Sequence, residues 1–200
     1  AMKRRETYVT SGPRIQLRMF GGAELPADPP DARVLVEQGY ELGVPMGANL
    51  AALGATPTFT VWALKDPEGA NLDRIQIIKG WVDEKGEVHE EIVDVAWSGD
   101  RLPVDGKLPP VGNTVDLETA RYTNTIGATE LLGSWRDTDF DPEQHAFYYA
   151  RAIEIPTPRW TTYDAVRNGL PLLEDIPATI QERAWGSAIW YSPKAAAEAP

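Results

Sequence analysis

Metal-assisted hydrolysis needs several imidazoles and carboxylates converging on an ion while one position stays open for water. The 200-residue chain holds two histidines. His89 stands in Glu87-Val88-His89-Glu90-Glu91 and His145 precedes the apolar run from Ala146. Nothing in the spacing joins them, so each reads as a surface residue and no metal centre is expected. Asp137-Thr138-Asp139-Phe140-Asp141 opens like a calcium loop, whose alternate carboxylates face one centre. Pro142 then takes the place of the turn glycine and Tyr148 that of the bidentate glutamate, which leaves a solvated acidic turn. Asp66-Pro67-Glu68-Gly69-Ala70-Asn71-Leu72-Asp73 also gathers oxygen-bearing side chains, in ordinary turn chemistry.

Nucleophilic and phosphate chemistry find no better support. Ser11 lies in Thr-Ser-Gly-Pro, without the flanking glycines of a nucleophile elbow, and Gly21-Gly22 is not followed by the Lys-Ser/Thr of a phosphate loop. No catalytic residue is expected within the chain. The most distinctive stretch is Pro156-Thr157-Pro158-Arg159-Trp160-Thr161-Thr162-Tyr163-Asp164. Arg159, Trp160, Thr161, Tyr163 and Asp164, presented behind two stiffening prolines, are residue types that make specific contacts with a partner or ligand. Glu182, Arg183 and Trp185 repeat the mixture. The competing reading puts the tryptophans in the core and pairs the charges across loops.

These residues must be held by strands. Ile15, Leu17 and Met19 alternate with Arg14, Gln16 and Arg18, the pattern of a half-buried strand. Thr58–Leu64 and Arg74–Val82 are β-branched and aromatic, and Asp83-Glu84-Lys85-Gly86 turns the second of them into Val88–Trp97. Ala146–Ile155 is the strongest strand, ended by Pro156 and Pro158. Thr125–Trp135 and Ser187–Tyr191 complete the strand set, while Gly43–Thr56 and Gly99–Pro110 read as irregular. Two short helices are expected, one capped by Asp31 and one over Tyr163–Asn168 closed by Gly169. The expected fold is mainly β, an immunoglobulin-like antiparallel β-sandwich with one or two short helices and long loops. Its domain would span residues 14–192, after a junction at 1–13 and before a disordered tail at 193–200.

Composition removes several function classes. A formal charge of −11, with Lys3-Arg4-Arg5 as the basic cluster, opposes nucleic acid and anionic lipid. That cluster reads as the solvated end of a helix. No cysteine is present, which excludes disulfides and thiolate chemistry. No apolar run approaches the ~20 residues a membrane helix needs, so a soluble chain is expected. Ala1 ahead of Met2 reads as a scar of tag removal.

A resemblance enters on longer motifs. Arg4–Pro13 looks like the junction where proteins with a PHP-like metallohydrolase domain (polymerase and histidinol phosphatase type) pass from a last helix into a β-sandwich. Asn71–Trp81, Phe147–Arg151, Pro156–Asp164, Gln181–Trp185 and Ile189–Tyr191 are similar to the C-terminal part of a large bacterial family of unknown function whose upstream region is PHP-like. Gly186 departs from it, standing where a larger or more polar residue is expected. The resemblance implies that metal-binding histidines and carboxylates lie upstream, that the divalent metal belongs to that upstream domain, and that this chain carries no cofactor. It therefore implies a non-catalytic accessory domain of a bacterial protein, exported or not, with the upstream domain as partner and further copies of the chain allowed.

That reading expects Arg159–Asp164 and Trp185 on one face with an apolar patch beside them. The alternative is a free-standing carbohydrate-binding module, which expects a concave surface holding two or more of Trp62, Trp81, Trp97 and Trp160. A self-contained hydrolase would require the acidic loops to bind metal.

Overall fold

The computed structural model describes residues 1–51 and 55–193. The alanine-rich tail that the sequence marks as disordered lies outside the described residues. After an exposed 3-10 turn at Met2–Arg4, the order is β1 (Tyr8–Thr10), β2 (Gln16–Gly22), α1 (Ala32–Leu42), β3 (Val44–Pro45), β4 (Asn49–Leu50), β5 (Thr58–Leu64), β6 (Leu72–Val82) and β7 (Val88–Trp97). There follow β8 (Glu130–Arg136), β9 (Ala146–Glu154), β10 (Thr157–Pro158), α2 (Trp160–Asn168), β11 (Thr179–Ile180), β12 (Arg183–Gly186) and β13 (Ile189–Tyr191). The protein is mainly β, as the alternating and β-branched segments require.

Two sheets share the core. The larger has seven strands built on β6 and β9: β7 pairs with the free edge of β6, and the far edge of β9 is divided between β12, which carries β1, and β13, which carries β4. The segment at 1–13, read from the sequence as a junction, thus adds β1 to this sheet. The smaller sheet runs β3-β2-β5-β8, antiparallel throughout. Ile15, Leu17, Met19, Phe59 and Val61 from one side meet Ile75, Ile77, Tyr148 and Ala150 from the other, all without exposure to solvent. Burying each large apolar side chain stabilises by roughly 1.5–3 kcal/mol, so this cluster is the main adhesive between the sheets.

Strand phase explains a polar exception. Ile75, Ile77 and Lys79 occupy one phase of β6, so Lys79 points into the interior and is 5% exposed. Its ammonium meets both Asp137 carboxylate oxygens, at 2.8 and 2.7 Å, and Tyr148 Oη donates to the same carboxylate at 2.7 Å. Burial and that carboxylate push the Tyr148 phenol far above its ordinary range.

Several boundaries depart from the sequence reading for tertiary reasons. β8 begins at Glu130 rather than Thr125, because Asn71 Nδ2 donates to the Ile126 carbonyl at 2.8 Å and holds that stretch as a loop. Helix α2 begins at Trp160 rather than Tyr163, helped by Thr162, which is 1% exposed and donates to the Ala178 carbonyl at 2.6 Å. Gly169 closes it in the left-handed conformation, φ 62°. Asp31 caps α1, accepting from Val34 N at 2.9 Å. The stretch at 43–56, expected to be irregular, contributes the two-residue strands β3 and β4, too short for any periodic signal.

Candidate functional site

The end of β9 carries a carboxyl group in an unusual setting. Ala146, Tyr148, Ala150, Ala152 and Glu154 share the buried phase of that strand, so the last member of an apolar series is a glutamate. Glu154 is 1% exposed, and its Oε1 has no hydrogen-bond partner among the described residues. Burial, reinforced by Glu182 and Asp66 and opposed by Lys65, pushes its carboxyl up to about 8. Lys65 does not pair with it: that ammonium donates to the carbonyls of Asp66 and Gly69 at 2.7 and 2.9 Å.

Around Glu154 lies an open cleft of about 240 Å³ whose walls include Tyr122, Trp160, Tyr163 and Glu182. Each wall has a local cause. Trp160 opens α2 and remains 70% exposed because that helix docks through Thr162 and Ala165 instead. Tyr122 arrives on the long connection between β7 and β8, which is tied back by Asn124: its Oδ1 accepts from Asn71 N at 2.8 Å and its Nδ2 donates to the Gly69 carbonyl at 3.2 Å. Glu182 is held by a short hydrogen bond from Ser11 Oγ, which also accepts from Arg183 N at 2.9 Å. Ser11 thus has a positioning role. The guanidinium of Arg167 stands 5.6 Å from the Tyr163 ring centre.

Trp160, Tyr163 and Glu182, singled out from the sequence, therefore meet at this cleft. Arg159 supplies the extended residue before α2, its backbone N–H donating to the Ala178 carbonyl at 2.9 Å. Thr161 is half-buried and Asp164 exposed. Arg183 and Trp185 occupy the other phase of β12, opposite the buried Ala184, with the guanidinium 5.8 Å from the indole centre. They belong to the outer face of the larger sheet. There Trp185 is level with Arg151 and Val9, while Phe147 is level with Gly80 and Trp190. Val9 is 63% and Trp190 48% exposed. Arg151 is fixed by Gln76 Oε1, to which its Nε and Nη2 donate at 2.9 and 2.6 Å.

The tryptophans named for a sugar-binding surface are dispersed. Trp62 lines a depression beside α1, Trp160 lines the Glu154 cleft, and Trp97 Nε1 donates to the Arg101 carbonyl at 2.8 Å. Trp81 contributes to the wall of a groove of about 490 Å³, but its ring stacks on His89 and against the core. The aromatic pair facing that groove from the outer side of the sheet is Phe147 and Trp190, which sequence reading did not name for a sugar-binding surface.

The acidic loops are occupied by structural contacts. Asp137 is committed to Lys79 and Tyr148, and Asp141 accepts from Glu143 N at 2.9 Å. Asp66 accepts from Arg14 N and Glu68 N, which hold its carboxyl below the usual range. Asp83, Glu87 and His89 bring one ligand atom each within 4.8 Å of one another. His89 Nε2 lies 3.0 Å from Asp83 Oδ2, and Asp83 Oδ1 accepts from the amides of Lys85 and Glu87 at 2.9 Å. Those contacts account for the cluster as hairpin-turn chemistry.

Fold and site together define a mainly β structure whose two larger sheets share one core, with a small β10–β11 pair beside α2, an acidic aromatic cleft at the end of β9 and an aromatic outer sheet face. The chain belongs to the family described as protein of unknown function (DUF3604), which matches residues 1–193. No curated protein and no solved structure matches it.

Proposed function

We propose that this chain is a non-catalytic accessory domain that packs against, or completes the rim of, a PHP-like metal-dependent hydrolase domain of the same protein. The observation that carries the reading is the outer face of the larger sheet. Phe147, Tyr149, Arg151 and Ile153 of β9 lie there between Trp185 and Trp190 on one side and β6 on the other, partly open to solvent. Aromatic residues around a fixed arginine are the composition of interface centres. Two sheets facing each other across one core, antiparallel apart from the short β4–β13 pair, support the immunoglobulin-like class of sandwich within the broader mainly β fold.

On this reading the divalent metal and its ligands belong to the neighbouring domain, and this chain contributes shape and contacts. A charge of −11 is consistent with a protein partner rather than nucleic acid. The test is reconstitution of the two domains from separate preparations, followed by sedimentation velocity and by metal-dependent phosphoester hydrolysis.

A second reading is favoured by the groove beside Phe147 and Trp190, whose ring centres lie 5.5 Å apart. Those two rings offer the apolar surfaces on which a sugar ring stacks, and Asn49 and His145 along the groove offer polar contacts. Under that reading the chain is a carbohydrate-binding module, and titration with oligosaccharides would quench tryptophan fluorescence in a manner lost in Trp190→Ala.

A further inference from the structure

A buried carboxyl group without a partner is costly unless something completes it. An unpaired polar atom removed from water forfeits its hydration without a compensating hydrogen bond. Glu154 Oε1 is in that state, and it sits at the wall of an open cleft rather than in a closed core. The groups facing it compound the deficit. Glu182 and Asp66 are acidic, and Lys65, the cation that opposes them, is bound to loop carbonyls. Trp160, Tyr122 and Tyr163 add aromatic rings, whose faces attract cations.

We propose that the cleft binds an organic cation, an alkylammonium or guanidinium group, with the Glu154 carboxylate as counter-ion and the rings of Trp160 and Tyr122 as walls. A chelated metal ion fits less well. A metal needs its ligand atoms gathered tightly, and among the described residues the trio that meets within 4.8 Å is Asp83, Glu87 and His89, not Glu154 with Glu182 and Asp66. Dispersed carboxylates and ring faces suit a larger cation with delocalised or methylene-flanked charge. Arg167 beside Tyr163 provides an internal example of a guanidinium on one of the cleft's rings.

Binding has a proton consequence. Because burial and the Glu182 and Asp66 carboxylates hold Glu154 protonated to about pH 8, a cation must displace that proton. Affinity should rise about tenfold per pH unit below pH 8 and level off above it.

The experiment is calorimetric titration of the whole chain with Nα-acetyl-argininamide and with agmatine, at several pH values and in buffers of different ionisation enthalpy. One saturable site is expected, tightening with pH and releasing close to one proton per cation at neutral pH. Glu154→Gln should weaken it at least tenfold, and Trp160→Ala several-fold, with unchanged near-ultraviolet circular dichroism. Preference for Nα-acetyl-argininamide assigns the cation to a protein side chain and preference for agmatine to a free amine; both support the site. Absence of saturable binding at millimolar probe above pH 8, a flat pH profile, or unchanged affinity in Glu154→Gln would overturn the proposal. So would binding of neutral methyl glycosides in place of cations.

Discussion

Lys79 on β6 reaches across the interior to Asp137 at the end of β8, its ammonium 2.7 Å from Oδ2 with the carboxylate wholly buried. Tyr148 donates to the same carboxylate, so one acidic group ties both central strands of the larger sheet to the smaller one. Removing one member of such a pair leaves an uncompensated charge out of water. Asp137→Ala should therefore lower unfolding stability by about 3–5 kcal/mol. Tyr148→Phe, which removes one hydrogen bond, should cost about 1 kcal/mol. Urea denaturation measures both, and equal small losses would show that the carboxylate is not the organising group.

Glu154 predicts a pH dependence with a definite sign. Its carboxyl is raised from the ordinary 4.5 to about 8, so the folded state binds the proton more tightly than the unfolded chain. The associated stability is fully present below about pH 4.5 and is lost as pH rises to about 8, at about 1.4 kcal/mol per pH unit. Glu154→Gln removes this component. Thermal melts of the two proteins should differ least at about pH 4.5 and below, separate as pH rises to about 8 and keep a constant gap above it, with the variant increasingly favoured; curves parallel from pH 4.5 to 8 would contradict the assignment.

Gly39 sets two effects of known size against each other. It lies in α1 against the Phe20 ring, and an added Cβ would stand well inside contact distance of Phe20 Cγ. Alanine gains about 1 kcal/mol of helix propensity over glycine. Overpacking a close contact costs about 1–3 kcal/mol, so Gly39→Ala should be net destabilising. A rise in melting temperature would show that Phe20 yields freely.

Both polar residues just discussed were visible in the sequence as breaks in phase. Lys79 follows Ile75 and Ile77 at the strand period, and Glu154 closes the series Ala146, Tyr148, Ala150, Ala152. β-Branched and aromatic composition identifies those strands, without assigning which phase of each is buried. It could not show that Asp137 would meet Lys79 across 58 residues, nor that Tyr122 from a long irregular connection would reach the Glu154 cleft. Such meetings are fixed by sheet packing, which leaves no local pattern. For the same reason β3 and β4, two residues each, escaped notice, while Asp31 and Gly169, whose roles are local, were legible.

The outer sheet face predicts its own hot spot. Trp185 sits between Val9 and Arg151 with Arg183 on its ring. Truncating a central interface tryptophan typically costs 2 kcal/mol or more of binding, roughly thirtyfold in affinity. Trp185→Ala should therefore weaken association with the neighbouring domain by at least that factor while leaving the melting temperature of this chain within a few degrees. A comparable effect from Leu173→Ala, in the loop between α2 and β11, would indicate a different docking surface.

The most direct measurement is sedimentation velocity on this chain mixed with the separately prepared PHP-like domain, read together with metal-dependent phosphoester hydrolysis. The accessory-domain account predicts a one-to-one complex, activity residing in the PHP-like domain and enhanced in the mixture, and loss of both complex and enhancement with Trp185→Ala. Two species that sediment independently, with hydrolysis unchanged by adding this chain, would contradict it.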